Sequence, residues 1–327
     1  MVKYAEWFSF IILLSLVLTG SKTFMLWSQV TYLWGENVAP LTMIIAEEAH
    51  FLRYMLTYPI FYISDIMQLD HDFLFSLILS FLFVLNAMVL SRTMKRQNVA
   101  YQNGFIAVSV TLLLLALYLI SNGRGPLALF GYSLIISELI KIEFIRGAKA
   151  SSFIYFAIGI FFCSVSTGVM LSACVVLITF LTLNFFTFLI GRLTLVKYVK
   201  QFMLISLALL VFKEPIVMAV KKNMNYYGGG IDSIFKMLNH GWGEAVYDHL
   251  YGVSGHVFIA VIGVMFLFGL LLSALCFSRS IQTIAAVSLI CGAYGYTTFA
   301  VAIIPLMFLI NYWVSRSSQS MKRIINA

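Results

Sequence analysis

The stretch from Phe73 to Ser91, FLFSLILSFLFVLNAMVLS, has no charged residue and is long enough to cross a bilayer as one helix. Of the 327 residues, 61% are apolar and 10% are charged, and the mean hydropathy is +0.97. A soluble domain has about 25% charged residues, so a water-soluble globule and a disordered chain are excluded. Similar apolar stretches occur at residues 7–26, 103–121, 126–140, 152–166, 168–190, 202–220, 256–277, 281–293 and 297–314. The sequence therefore predicts an all-α polytopic membrane protein, a single integral membrane domain over residues 1–327 with about ten transmembrane helices.

Lysine and arginine are distributed unevenly between the two sides that these stretches define. With a cytoplasmic N-terminus, fourteen basic residues fall on the cytoplasmic side and seven on the outer side. Because cytoplasmic loops of membrane proteins are enriched in Lys and Arg, we expect both termini to be cytoplasmic. The formal charge of +8 then reflects membrane orientation, and we expect no nucleic-acid partner.

The outer side carries most of the other ionisable groups. All five histidines and ten of the thirteen acidic residues are predicted there. Two polar insertions hold most of them, outer loop 1 at residues 27–72 and outer loop 2 at residues 213–255. We therefore expect the function to lie at the outer face.

Motifs of several enzyme classes are absent from the sequence. It contains no HExxH, no Walker loop, no GxGxxG after a strand and no Asp-rich metal motif. The four cysteines lie in apolar stretches without CxxC spacing, so we expect them to be packing residues. The sequence Asp70-His71-Asp72 could ligate a metal, but it better fits the polar start of a helix. We expect no metal site and no cofactor, and we interpret residues 7–26 as a retained first helix.

Outer loop 1 contains a candidate site. If residues 47–54 are helical, Glu47, His50, Arg53 and Tyr54 share one face by their i, i+3 and i, i+4 spacing. The apolar residues between them indicate a helix that lies at the membrane surface or re-enters it. The alternative is an interfacial helix with a Glu–Arg pair and no further role.

A second candidate is the turn Ser121-Asn122-Gly123-Arg124-Gly125-Pro126 between two apolar stretches. Gly and Pro suit the backbone of a tight turn, but the turn does not need an arginine. A guanidinium at a membrane boundary binds phosphate or carboxylate well, so Arg124 is a candidate ligand for an anionic head group. The alternative is an arginine that snorkels to lipid phosphate.

Outer loop 2 combines aromatic and polar residues, among them Tyr226, Tyr227, His240, Asp248 and His249. Aromatic rings can stack on sugars, and the polar groups can bind hydroxyls. A belt of aromatic residues at the membrane interface gives the same composition. The glycines at 228–230 indicate a mobile segment. At the hydroxyl-rich junction Ser164–Gly168 the hydroxyls could bind a phosphate or sugar, and the alternative is helix capping or interhelical bonding.

The outer segments resemble those of the bacterial polysaccharide repeat-unit polymerases of the Wzy/EpsG type, which build O-antigen, capsule and exopolysaccharide. The similar stretches are His50-Phe-Leu-Arg53-Tyr54 through Tyr58-Pro59, Asp72-Phe-Leu-Phe75 and Ser121-Asn-Gly-Arg124-Gly-Pro-Leu-Ala128. The resemblance extends loosely over the whole chain.

The resemblance implies a GT-C-like fold in the bacterial inner membrane and a metal-independent, inverting glycosyltransferase. A glycan on undecaprenyl diphosphate would be transferred to another lipid-linked repeat unit at the periplasmic face. Membrane lipid and a chain-length regulator are candidate partners. The resemblance assigns diphosphate binding to Arg53 and Arg124. The candidates for the general base are Glu47, His50, His240 and His249, and those for substrate binding are Tyr54, Tyr226, Tyr227 and Asp248.

Two other functions fit the composition. A transporter or flippase for lipid-linked sugars would place charged residues in the middle of helices along a path, and this chain has few of them. A non-catalytic scaffold would need Arg53 and Arg124 for assembly only. Both alternatives stay open at this stage.

Overall fold

The structure is a computed structural model that describes residues 7–13, 15, 23–36, 51–97, 104–121, 123–145, 148–226, 228–230, 233, 279–291, 300–312 and 314. Within these ranges every regular element is helical and no strand occurs. Residues 7–13 are helical, and the other helices are α1 (Ser28–Thr31) with a π-helical turn at Tyr32–Glu36, α2 (Phe51–Met67), α3 (His71–Gln97), α4 (Gly104–Ile120), α5 (Gly125–Ile145), α6 (Ala150–Cys163), α7 (Thr167–Leu189), α8 (Leu195–Val211), α9 (Lys213–Tyr226), α10 (Arg279–Cys291) and α11 (Ala300–Tyr312). The all-α prediction is confirmed for this part of the chain.

Helix α5 lies at the centre of the bundle. Every residue from 125 to 140 is buried, and α5 packs against α3, α4, α6 and α7. A helix that is apolar on all sides requires neighbours around it. The segment GPLALFGYSLIISELI has this character, because its single charged residue is Glu138.

Helices α5 and α6 form an antiparallel hairpin in which two glycines bring the backbones together. A Cβ atom added to Gly131 would lie 2.6 Å from the carbonyl oxygen of Gly159. Further along the hairpin, the Ser152 hydroxyl donates to Oε1 of Glu138 at 2.6 Å. Small residues at a crossing point allow helices in membranes to approach closely, so the two glycines explain this tight packing.

Polar side chains form hydrogen bonds between different helices of the bundle. Such bonds occur between helices in membranes, where a buried polar group needs a partner within the protein. The bonds are Asn86 Nδ2 to Tyr118 Oη at 3.1 Å, Tyr132 Oη with Ser288 Oγ at 2.7 Å, Asn184 Nδ2 to Gln201 Oε1 at 3.0 Å and Asn311 Nδ2 to the Met94 carbonyl at 3.3 Å.

The bundle has two ends, which differ in their charged residues. The turn that precedes α5 marks the Arg124 end, and the last turns of α5 mark the Lys141 end. Since α6 is antiparallel to α5, its last residue, Cys163, lies back at the Arg124 end, with Sγ 4.0 Å from the Ala128 carbonyl oxygen. The junction after Cys163 therefore lies at the same end as Arg124.

Helix α3 runs in the same direction as α5. At its start, Asp72 Oδ1 accepts a hydrogen bond of 2.9 Å from the backbone N–H of Leu26, in a segment that also contacts Gly123. Near its end, Arg92 and Arg96 share a pocket with Lys141. The bundle therefore places the Arg124 turn at one end and Arg92, Arg96 and Lys141 at the other. Which end faces the cytoplasm stays a prediction.

Several helices have the length or composition of membrane helices. Among the described residues, His71–Arg96 and Thr167–Leu189 are long and apolar enough to span a bilayer, and α8 with α9 would make a third span bent by 58°. At 14 residues, α6 is about 21 Å long, which is less than the hydrocarbon thickness of about 30 Å. A helical protein able to span a membrane is thus supported, and the count of ten spans stays a prediction.

The predicted apolar stretch 202–220 is wrong as one continuous helix. The chain bends at Phe212, between α8 and α9, because Lys213, Glu214 and Pro215 interrupt the apolar pattern. The first 14 residues of predicted outer loop 2 are accordingly helix α9. The remainder of that loop, apart from 228–230 and 233, lies outside the described residues.

Candidate functional site

Helix α2 is the longest described element of predicted outer loop 1, which also contains α1 and the π-helical turn. Its buried face is partly polar, since it includes Arg53, Thr57 and Ser64. Its exposed face is mostly apolar and includes Ile66, with 63% of its surface exposed, and Tyr62, with 55%. A helix with apolar residues outward suits an apolar surrounding better than water, and an interfacial or re-entrant position for α2 stays a prediction.

Arg53 is the buried charge of this face, with 4% of its surface exposed. Its Nη1 donates to Oε1 of Gln29 at 2.9 Å. A buried charge requires hydrogen-bonding partners, and the planar guanidinium presents several donors in a fixed geometry. This bond to Gln29 therefore sets the direction in which the other donors of Arg53 point.

Aromatic rings line α2 beside Arg53. The indole N–H of Trp34 donates to the Thr57 hydroxyl oxygen at 3.3 Å, and that hydroxyl donates to the backbone carbonyls of the preceding turn. The Trp34 ring lies 5.0 Å from the Tyr58 ring, which stacks on Tyr62 at 6.0 Å between centroids. Exposure increases along this row, from buried Trp34 to exposed Tyr62. Such a row of rings offers faces for stacking on a sugar.

Arg124 lies in the turn between α4 and α5. Gly123 has a φ of 69°, a left-handed conformation that favours glycine. The Arg124 side chain is half-buried, and no described residue bonds its guanidinium. Burial lowers the pKa of Arg124, because the charged form is poorly solvated there. A bound anion would offset this cost.

The segment Met25–Gln29 links the two arginines. At one side, a Cβ atom on Gly123 would lie 3.6 Å from the Met25 carbonyl oxygen and 3.8 Å from Cβ of Trp27. At the other side, Gln29 holds Arg53. The turn that carries Arg124 and the helix that carries Arg53 therefore meet on one five-residue segment.

Helix α3 anchors this segment. The backbone N–H groups of Leu26 and Phe24 donate to Asp72 Oδ1 at 2.9 Å and to Ser76 Oγ at 3.4 Å. The Trp27 ring also contacts the Phe75 ring, with centroids 6.4 Å apart. The segment is consequently fixed to the start of α3, and the site belongs to a packed part of the bundle.

The other predicted site residues divide into three groups. Tyr54 is buried, with 8% of its surface exposed, whereas Tyr226 is 81% exposed at the end of α9, a helix that packs on α7 and α8. The structure thus places Tyr54 next to Arg53 and assigns Tyr226 to another part of the bundle. Six predicted residues lie outside the described residues: Glu47, His50, Tyr227, His240, Asp248 and His249.

Asp70 and His71 act as a helix start, as the sequence predicts. Asp70 Oδ1 accepts from the Phe73 N–H at 3.0 Å, and His71 Nε2 lies 3.2 Å from Asp65 Oδ1. Within the described ranges no group of three or more His, Cys, Asp or Glu side chains could hold a metal ion.

At the junction after α6, Ser164 Oγ donates to the Phe161 carbonyl at 2.6 Å. This bond to the last turn of the helix agrees with the interpretation of the junction as helix capping.

The sequence analysis missed Gln29, Trp34 and Thr57. A buried arginine needs an oxygen acceptor nearby, and the glutamine at position 29 in the same insertion is a signal for that partner. The contact between Trp34 and Thr57 had no such signal, because it depends on how the π-helical turn packs against α2.

Comparisons of the chain with protein-family models, with curated proteins and with solved structures find no match.

Proposed function

We propose that this protein polymerises undecaprenyl-diphosphate-linked oligosaccharide repeat units by metal-independent, inverting glycosyl transfer. In this proposal it is a GT-C-like protein of the bacterial inner membrane with about ten spans. Both termini are cytoplasmic, and the Arg124 end faces the periplasm. Outer loops 1 and 2 form the substrate site.

The observation that carries the proposal is the meeting of two arginine-bearing segments on Met25–Gln29. Arg53 is buried, and its Nη1 is oriented by the neutral amide of Gln29. Arg124 is half-buried with no described partner for its guanidinium. Two arginines on elements that meet on one segment suit a diphosphate, which carries charge on two adjacent phosphoryl groups.

The chemistry requires a stabilised leaving group. The bond between the anomeric carbon of the donor sugar and the diphosphate oxygen breaks as the acceptor hydroxyl oxygen bonds to that carbon from the opposite face. The electron pair of the broken bond remains on the diphosphate, where Arg53 and Arg124 stabilise it. The hydroxyl proton passes to a general base, for which Glu47, His50, His240 and His249 are the candidates.

Sugar binding falls to aromatic residues of both outer loops. Tyr54, Tyr226, Tyr227 and Asp248 are the candidates from the sequence. To these the ring row adds Tyr58 and Tyr62, which are more exposed than Tyr54 and lie on the same helix as Arg53. A ring beside the diphosphate site would bind the first sugar of the repeat unit.

The test is deletion of the gene in its source organism, followed by gel analysis of surface glycans. Wild-type protein should restore long chains, and Arg124→Ala should leave single repeat units on the surface. Arg192→Ala is the matched control, because Arg192 is exposed beyond α7, and it should restore long chains. All variants must be present in equal amounts in the membrane fraction.

Two results would contradict the proposal. If the deletion leaves chain length unchanged, the protein does not polymerise glycans. If the deletion removes surface glycan entirely, including single units, the protein acts before polymerisation, as a flippase for lipid-linked sugars would.

A further inference from the structure

A charged pocket lies at the Lys141 end, opposite the arginine site. Its volume is about 260 Å³, and α3, α5 and the start of α6 enclose it. Its lining residues are Val89, Arg92, Arg96, Glu138, Lys141, Ile142, Lys149, Ser151 and Tyr155. Four basic side chains and one carboxylate therefore share one small cavity.

The carboxylate in this pocket is already neutralised within the fold. Glu138 has 6% of its surface exposed; it accepts from Lys141 Nζ at 2.9 Å and from Ser152 Oγ at 2.6 Å. Lys141 also lies over the Tyr155 ring, 4.6 Å from its centroid, which is a cation–π contact. Arg96 and Lys149 are exposed at the rim. The pocket thus keeps an excess of positive charge.

The start of α6 adds to this charge. Helix α6 has 14 residues and begins at Ala150, between the lining residues Lys149 and Ser151. The first N–H groups of a helix and the positive end of its dipole attract anions. The Ser152 hydroxyl accepts from the Lys149 N–H at 3.2 Å and donates to Glu138. That hydroxyl fixes the helix start to α5.

The surroundings of the pocket favour an amphiphile over a free anion. The apolar span of α3 ends at Arg96, so the pocket lies where lipid head groups begin. On α6, Ser151, Ile154, Tyr155 and Ile158 follow each other on one face by their i, i+3, i+4 and i+7 spacing. Ile154 and Ile158 are 56% and 41% exposed. An acyl chain can lie along this face while its head group occupies the pocket.

We propose that this pocket binds the phosphate of an anionic phospholipid head group. Arg96, Lys149 and the α6 start bind the phosphate, while Lys141 stays paired with Glu138, and the exposed face of α6 binds the acyl chain. The volume is below the range of about 300–1,000 Å³ typical of sites for drug-sized ligands, which suits a head group. The site is independent of glycosyl transfer, because it lies at the opposite end of the bundle from Arg53 and Arg124.

The test measures lipid binding to the full-length protein purified in a neutral detergent. Native mass spectrometry and the apparent unfolding temperature are recorded with phosphatidylglycerol, with phosphatidylcholine and with inorganic phosphate. We expect tighter binding of phosphatidylglycerol than of phosphatidylcholine. Each basic residue near a membrane surface is worth about 1 kcal/mol, so Arg96→Gln or Lys149→Gln should weaken binding about fivefold and the double variant about 30-fold.

The matched control is the double variant Arg192→Gln with Lys197→Gln, which removes two exposed charges outside the pocket. It should bind phosphatidylglycerol as wild type does. The proposal is overturned if this control weakens binding as much as the pocket variants do, or if phosphatidylcholine binds equally well. It is also overturned if inorganic phosphate stabilises the protein as much as the lipid, because the pocket would then be a site for free anions.

Discussion

The guanidinium Nη1 of Arg53 and the amide oxygen of Gln29 lie 2.9 Å apart, joining α2 to the segment that also contacts the Arg124 turn. Gln29 is neutral, so this hydrogen bond orients Arg53 without cancelling its charge. A glutamate at position 29 would accept the same bond and would add a negative charge. The pair therefore separates the orientation of Arg53 from its electrostatic role.

Substitution of Gln29 tests this separation. Gln29→Ala removes the acceptor and should lower the free energy of unfolding by about 1–3 kcal/mol. Gln29→Glu should keep or raise the apparent unfolding temperature and should shorten the surface glycans, because it adds a negative charge beside Arg53 that would repel a diphosphate. Ser28→Ala, at an exposed neighbour, is the control and should change neither quantity. Normal glycan length in a well-folded Gln29→Glu protein would contradict a diphosphate role for Arg53.

The crossing of α5 and α6 allows a test of packing. Gly131→Ala places a methyl group against the Gly159 carbonyl, where only 2.6 Å is available. Overpacking of this kind costs about 1–3 kcal/mol, and a larger residue should cost more. At Gly191 nothing lies within 4 Å but φ is 72°, so alanine and leucine should cost similar amounts there. Unfolding in detergent measures both series, and equal costs for alanine and leucine at Gly131 would contradict the close crossing.

Substitution of Arg124 should separate stability from function. Burial lowers the pKa of Arg124, so the unfolded chain holds the proton more tightly than the folded one. The charged side chain therefore costs folding free energy throughout the neutral pH range, and this cost declines only above the lowered pKa. Arg124→Gln should consequently raise the apparent unfolding temperature while it abolishes long glycans, and this gain should be the same at pH 6 and pH 8.

Pyrophosphate provides the matching ligand experiment. It should stabilise the wild-type protein and the Arg192→Gln control, and it should stabilise the Arg124→Gln variant much less. If Arg124→Gln is less stable than wild type, the guanidinium stabilises the fold through contacts within the protein, and the anion-binding role of Arg124 is contradicted.

The sequence predicts the parts of this fold that depend on local composition. Most of the apolar stretches within the described residues become helices, although residues 23–26 of the predicted first helix (7–26) are not helical, α2 forms around Arg53, and the Ser121–Pro126 turn separates α4 from α5. The sequence also predicts that Arg124 lies at the opposite end of the bundle from Arg92, Arg96 and Lys141, because the loops between successive helices alternate between the two ends. Each of these features is encoded within about 20 adjacent residues.

Contacts between residues that are distant in sequence could not be predicted in this way. The bond between Arg53 and Gln29 spans 24 positions, and a polar residue in an insertion has many possible partners. The close crossing of α5 and α6 at Gly131 and Gly159 could not be predicted from the sequence, because glycine occurs in both helices and turns. The bend at Phe212 did have a local signal in Pro215, which disfavours continuation of a helix, but the apolar residues on both sides masked it.

The orientation of the bundle is the prediction on which the proposed function depends most directly. Gln68 is exposed in the turn between α2 and α3 at the Arg124 end, and Ala150 is exposed at the Lys141 end. A membrane-impermeant maleimide applied to spheroplasts should label a Gln68→Cys variant and should leave an Ala150→Cys variant unlabelled until the membrane is opened. Wild-type protein sets the background, in which Cys163, Cys174 and Cys291 are buried. The opposite labelling pattern would place Arg53 and Arg124 on the cytoplasmic side of the membrane. The proposed reaction takes place on the periplasmic side, so that result would contradict the polymerase proposal.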